Sequence, residues 1–199
     1  KSNLAANTPA VTADAVYVAF GNADIARYSH DGKLAWVNRY IPRFGDPKMA
    51  WGYCLSPLVL DDSILFPWDH HTGPCFLIGL NPQSGEIAWQ TERPIGTAHA
   101  TPLLVEHHGQ KDILVPGKHK LTAFDAKTHA ERWKFGEGEG PYNGEIIVSP
   151  VFGDGIVFTS LRYRNETQYL AKGVSGGQAE GLSPEEAQAI GFAWQRHEK

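Results

Sequence analysis

One eleven-residue frame occurs three times along this 199-residue chain. Gly79-Leu-Asn-Pro-Gln-Ser-Gly-Glu-Ile-Ala-Trp89 reads as a strand entering a tight turn, then a second strand that carries a tryptophan. Asn81, Pro82 and Gly85 supply the turn chemistry: asparagine bonds nearby backbone, proline presets φ, and glycine tolerates φ > 0. Ile87 and Trp89 then alternate onto one face. Ala26–Trp36 repeats the frame with Gly32 before Trp36, and Ala123–Trp133 repeats it with His129 in the glycine place. A degraded copy ends at Trp194.

A second landmark runs alongside. Thr8-Pro9, Ser56-Pro57, Thr101-Pro102 and Ser149-Pro150 place prolines 48, 45 and 48 residues apart. Each interval also holds a β-rich run such as Ala15–Phe20 or Gly155–Thr159. A period of this length with about four short strands is the signature of a propeller blade. The chain is therefore expected to be all-β: one propeller segment over residues 1–199, built of about four four-stranded blades. Their expected spans are about 8–40, 54–90, 100–135 and 146–199. The last blade departs from the pattern. Gly173–Gly177 reads as a loop, and Ser183-Pro184-Glu185-Glu186 has the residues of a helix start, so a short helix is expected over Pro184–Ile190. A final strand is expected at Phe192–Gln195, around Trp194.

A four-stranded blade has two apolar faces and relies on its neighbours for burial. Trp36, Trp89, Trp133 and Trp194 are therefore read as packing between sheets, with Gly32, Gly85 and Asp125 as the turn residues of the repeat. His129 carries strain at its turn unless it adopts the left-handed conformation.

Charge excludes some functions. A net charge of −4 and a pI near 6.1 give no footprint for nucleic acid or an anionic membrane. No run of about 18 apolar residues is present to span a bilayer. The chain opens at Lys1 rather than at Met, and both ends fall at repeat boundaries, so it reads as a segment of something longer. Cys54 and Cys75 open the first and third strands of the second blade. Two strand spacings separate them by roughly 9–10 Å, beyond the limit of about 7 Å between Cα atoms for a disulfide.

Nine histidines are the remaining chemical signal. Asp69, His70 and His99, with His71, form a candidate metal set if the second hairpin of blade 2 and the connection to blade 3 share a rim. Trp51, Tyr53, Trp68 and Tyr142, with His70 and Asn143, form a candidate binding surface on that rim, suited to stacking on a sugar or a peptide. No nucleophile elbow, Walker loop, His-Glu-x-x-His or Cys-x-x-Cys is present, and no catalytic residue is assigned.

The frame Ala-x-Asp-x-x-Thr-Gly-x-x-x-Trp resembles the repeat of the pyrrolo-quinoline quinone (PQQ)-type β-propeller family. Ala123-Phe-Asp125-Ala-Lys-Thr128-His-Ala-Glu-Arg-Trp133 matches every marked position but the glycine. The chain looks especially similar to PQQ-like propellers of bacterial envelopes, distant relatives of the outer-membrane assembly lipoprotein. The resemblance implies a ring of seven or eight blades, so four repeats form an open arc completed by further blades of the parent chain. It implies a periplasmic or extracellular place and a protein or cell-wall ligand at the propeller face.

The family name comes from quinone- and Ca²⁺-dependent alcohol and sugar dehydrogenases. In the alcohol dehydrogenases the cofactor lies between a tryptophan and a disulfide of adjacent cysteines. This chain has no adjacent cysteines and no clustered oxygen ligands of the kind Ca²⁺ requires. The expectation is a non-catalytic binding or scaffolding propeller that needs no cofactor. The alternatives are a fragment of a dehydrogenase that uses PQQ with Ca²⁺, and the sensor or scaffold half of a larger multidomain chain.

Overall fold

The alternation in the sequence becomes antiparallel sheet. The computed structural model describes residues 7–49, 52–70, 72–93, 99–118, 120–135, 145–146, 148–163, 166–175 and 178–181. The first sheet holds β1 (Ala10–Val11), β2 (Val16–Ala19), β3 (Asp24–Tyr28) and β4 (Leu34–Arg39), paired in chain order. A short helix follows, α1 (Ile41–Phe44). The second sheet holds β5 (Leu58–Val59), β6 (Ile64–Trp68), β7 (Cys75–Leu80) and β8 (Ile87–Arg93). The third holds β9 (Leu103–His107), β10 (Gln110–Pro116), β11 (Leu121–Asp125) and β12 (Glu131–Phe135). In the fourth, β13 (Glu145–Ile146) and β14 (Val151–Gly153) both pair with β15 (Ile156–Tyr163), which continues to β16 (Glu166–Ser175) and β17 (Gln178–Gly181).

The repeated frame is the third and fourth strand of each of the first three sheets with their turn. Register slips by one residue in each frame just before the tryptophan, at Ala35, Ala88 and Arg132. On the third strand the slip falls between Gly79 and Leu80 and between Ala123 and Phe124, and one position later, between Arg27 and Tyr28, in the first frame. The glycine position is left-handed in all three, with φ of 82° at Gly32, 74° at Gly85 and 60° at His129. In two of the turns one side chain caps the bend. Asn81 Oδ1 accepts from the N–H groups of Gln83 and Ser84, and Asp125 Oδ1 accepts from those of Lys127 and Thr128.

Two compact units divide the chain, Lys1–Thr101 and Pro102–Lys199. In the first, Tyr17, Ala19 and Ile25 of the first sheet share a core with Ile64, Phe66, Trp68 and Ile78 of the second. The Trp36 indole N–H donates to the Pro82 carbonyl at 3.2 Å, and the Asn38 amide donates to the Gly85 carbonyl. The landmark hydroxyls work at the strand starts: Thr8 N–H donates to Ser56 Oγ at 2.9 Å, and Ser56 N–H to Thr101 Oγ1 at 3.2 Å.

In the second unit, Ile113, Leu114, Val115, Leu121 and Ala123 are buried. Asp112 is buried with them, 3.1 Å from His107 Nε2 and 3.1 Å from Arg132 Nε. A buried carboxylate without such partners would be strongly destabilising.

The connection after Tyr40 contains a short helix: Pro42 opens α1 and Gly45, at φ 86°, ends it. One local expectation is corrected. Strand β16 runs through Gly173 to Ser175, because residues 172–175 find partners on β17. The helix expected over Pro184–Ile190 and the strand expected around Trp194 lie outside the described residues.

Candidate binding site

The sequence-derived rim does not form one surface. Trp68 ends β6 fully buried, because Phe44 of α1 packs over it with ring centroids 5.4 Å apart. Tyr53 is 2% exposed and its hydroxyl donates to the Pro67 carbonyl at 2.7 Å. Both were expected on the surface, and both belong to the core. His70 is half-buried, and its Nδ1 accepts from the Thr72 N–H at 3.0 Å. Trp51, Tyr142 and Asn143 lie outside the described residues.

The candidate metal set is likewise distributed. Asp69 is fully buried, 3.5 Å from the equally sequestered Arg93 guanidinium. His99 Nδ1 sits 3.0 Å from Cys54 Sγ, and both residues are half-buried. Cys54 and Cys75 are free thiols. Among the described residues no three His, Cys, Asp or Glu side chains converge to hold a metal. Two buried carboxylates are already paired. Asp69 faces a guanidinium and Asp112 lies between an imidazole and a guanidinium, which occupies them as counter-ions rather than as metal ligands.

What the fold does bring together is a cleft of about 380 Å³ where β4 and α1 meet the turn into β8. Asn38, Arg39, Tyr40 and Arg43 line one side, and Gly85, Glu86 and Ile87 the other. Arg39 and Arg43 are exposed, as is Glu86. The Arg39 side chain is 73% exposed and lies 3.8 Å from Asp24, a long and well-screened pair. The Arg43 guanidinium carbon lies 5.3 Å from the Phe44 ring centroid.

Tyr40 is 3% exposed, with its ring 4.8 Å from that of Phe66. Its hydroxyl has no hydrogen-bond partner of good geometry, and the neighbouring Asn38 amide donates to Gly85. Burial pushes its ionisation up to about 12, against smaller lowering contributions from Asn38 and Arg43. The phenol is therefore a hydrogen-bond donor at neutral pH. Arg39, Tyr40 and Glu86 carried no signal in the sequence beyond being polar residues near strand ends.

Three successive four-stranded sheets, each following a Thr/Ser-Pro landmark, and a fourth antiparallel sheet around the last landmark define a β-propeller segment. No family model matches the sequence, and no curated protein matches it. Among solved structures the chain is similar to BamB from Moraxella catarrhalis, at 18% identity and a TM-score of 0.58, over 83% of this chain and 45% of that one. It is similar to the quinohemoprotein alcohol dehydrogenase of Comamonas testosteroni, at 13% identity and a TM-score of 0.69, over 90% of this chain and 34% of that one. It is also similar to the quinohemoprotein alcohol dehydrogenase ADHIIG of Pseudomonas putida HK5, at 16% identity and a TM-score of 0.64, over 91% and 34%. The chain spans less than half the length of each. The propeller fold to which the repeat frame pointed is the fold found.

Proposed function

We propose that the chain is a non-catalytic PQQ-like propeller module that binds a partner protein in the bacterial envelope. The observation that carries this reading is the open polar cleft at Arg39, Tyr40 and Arg43. Its cationic groups face solvent, whereas Asp69, Arg93, His107 and Asp112 are tied to one another inside the sheets. The fold likeness to BamB supports an envelope role, and no described helix is long and apolar enough to cross a membrane. The Trp36 indole ties the first sheet to the turn of the next through its bond to the Pro82 carbonyl.

The test is a photo-crosslinking residue placed at Ile41, which is 36% exposed and beside the cleft without lining it. The expected result, in cells producing the protein, is a discrete protein adduct that is absent when the crosslinker replaces exposed Lys33. A pattern identical at the two positions overturns the reading.

A second reading is favoured by the fold likeness to the two quinohemoprotein alcohol dehydrogenases: a segment of a PQQ- and Ca²⁺-dependent dehydrogenase. Calorimetric titration of PQQ with Ca²⁺ separates the two. Micromolar binding abolished by a chelator establishes the dehydrogenase reading.

A further inference from the structure

We infer that the cleft recognises an acidic side chain on a protein segment, its carboxylate meeting Arg39 and Arg43 and a main-chain N–H of the same segment meeting Glu86. This rests on the binding-module reading and adds to it the chemistry of the partner.

Arg39 comes from the end of β4 and Arg43 from α1, and both line the cleft with Tyr40. Guanidinium forks match carboxylate geometry with two parallel N–H donors. Arg43 lies near the Phe44 ring, and stacking of that kind restrains the plane of the group while leaving its N–H edges available. Arg39 is free enough of Asp24 to turn, because the pair is long and the side chain mostly exposed.

The Tyr40 hydroxyl supplies the second, independent observation. It is a buried donor without a good partner, and it lies among Asn38 and Arg43, both of which line the cleft. A buried polar group left in that state is unfavourable, and a ligand oxygen relieves it once movement of the cleft wall opens the hydroxyl to it.

Glu86 narrows the choice of ligand. A small symmetric anion such as phosphate gains from the arginines but has no donor to offer the opposing carboxylate. A peptide offers both an acidic side chain and main-chain N–H groups. The size agrees, since about 380 Å³ is near the lower end of ligand pockets, roughly 300–1,000 Å³. That is room for one side chain and its flanking backbone.

The test is calorimetric titration of the full chain at low salt with three probes: acetyl-Gly-Glu-Glu-Gly-amide, its glutamine counterpart, and inorganic phosphate. The glutamate peptide is expected to bind about tenfold or more tightly than the glutamine peptide, the usual size of a charge-assisted contact. Arg43→Ala and Arg39→Ala each weaken it. Tyr40→Phe, which keeps the ring packing, weakens it about threefold without moving the thermal midpoint downward. Glu86→Gln weakens the peptide and strengthens phosphate.

Equal affinity for the two peptides, phosphate binding tighter than the glutamate peptide, no binding by any probe at millimolar concentration, or an Arg39→Ala/Arg43→Ala double variant that binds unchanged each overturn the inference. If crosslinking at Ile41 captures a partner while the glutamate peptide shows no preference, the ligand chemistry fails and the binding module stands. If the peptide binds as expected while Ile41 captures nothing specific, the cleft is a binding site of the inferred chemistry and the envelope partner of the proposed function fails.

Discussion

His129 stands where the other two frames have glycine, and it adopts their left-handed backbone at φ 60°. An L-residue there costs about 1–2 kcal/mol, of which glycine returns roughly 0.5–1 through its freer unfolded chain. His129→Gly is therefore expected to stabilise the protein by about 0.5–1 kcal/mol, read as a higher urea midpoint at an unchanged slope. Asp125, in the same turn, has two tasks, capping the bend and pairing with Arg132. Burial raises its ionisation, but the Thr128 N–H, Arg132 and the Lys127 N–H hold it well below the usual carboxylate range. Its contribution is thus present above the unfolded value of about 4 and is lost as pH falls through the lower folded value. Asp125→Asn should keep the turn, as Asn81 does in its own frame, and cost about 1 kcal/mol, whereas Asp125→Ala loses both tasks and costs about 2. Denaturant titrations at pH 7 separate the two. Tyrosines set the other limit. Burial raises Tyr40 to about 12 and Tyr53 well above its ordinary value. Stability is then full below about 10, where unfolded tyrosine ionises, and falls as pH rises toward the folded values. A near-ultraviolet phenol titration should show one fewer tyrosine ionising only with unfolding in Tyr40→Phe than in the parent protein.

The frame was legible as an element because its chemistry is local. Asn81 or Asp125, a left-handed position and a tryptophan all fall within eleven residues, and no distant part of the chain is needed to interpret them. Gly85 adds a contact that no single frame reveals. A Cβ there would lie 2.7 Å from the Trp36 ring and 2.7 Å from Asn38 Nδ2, whereas one at Gly32 would meet nothing within 4 Å. Both glycines have positive φ, so the pair isolates crowding from backbone strain. Gly32→Ala is expected to cost about 1 kcal/mol and Gly85→Ala about 2–4, measured by thermal or urea unfolding. Trp68 was misread for the opposite reason. It is followed by Asp69-His70-His71-Thr72-Gly73, a polar run that looks like an exposed loop tip. What buries it is Phe44, brought from 24 residues earlier by a four-residue helix whose only local marks were Pro42 and Gly45. Asp69 gave the same false signal, since its counter-ion Arg93 belongs to a different strand.

At the scale of the molecule, a period of 45–48 residues was enough to foresee four sheets, because each period holds one sheet's worth of strands. The binding cleft was not legible at all. Its walls, residues 38–43 and 85–87, are far apart in sequence and meet only when the first two sheets stack. The first sheet also shows its other face to solvent: Val11 is 63% exposed, Leu34 53% and Val37 41%. An apolar face of this kind drives association. Expressed alone at micromolar concentration, the chain is expected to self-associate in sedimentation experiments, and Val11→Ser/Leu34→Ser/Val37→Ser to reduce that association. A sedimentation profile identical for the two proteins contradicts this.

The hydroxyl at each strand start carries a further consequence. Ser56 Oγ accepts from Thr8, while the Ser56 backbone donates to Thr101. The contact is head to tail at both described junctions: Ser56 receives through its hydroxyl and donates onward through its N–H. Tandem duplication or loss of one whole period would keep this one contact, because the new neighbours would meet through the same serine or threonine. Such a chain can change its number of blades by copying its own gene segment, and its evolution is free to count in units of one blade.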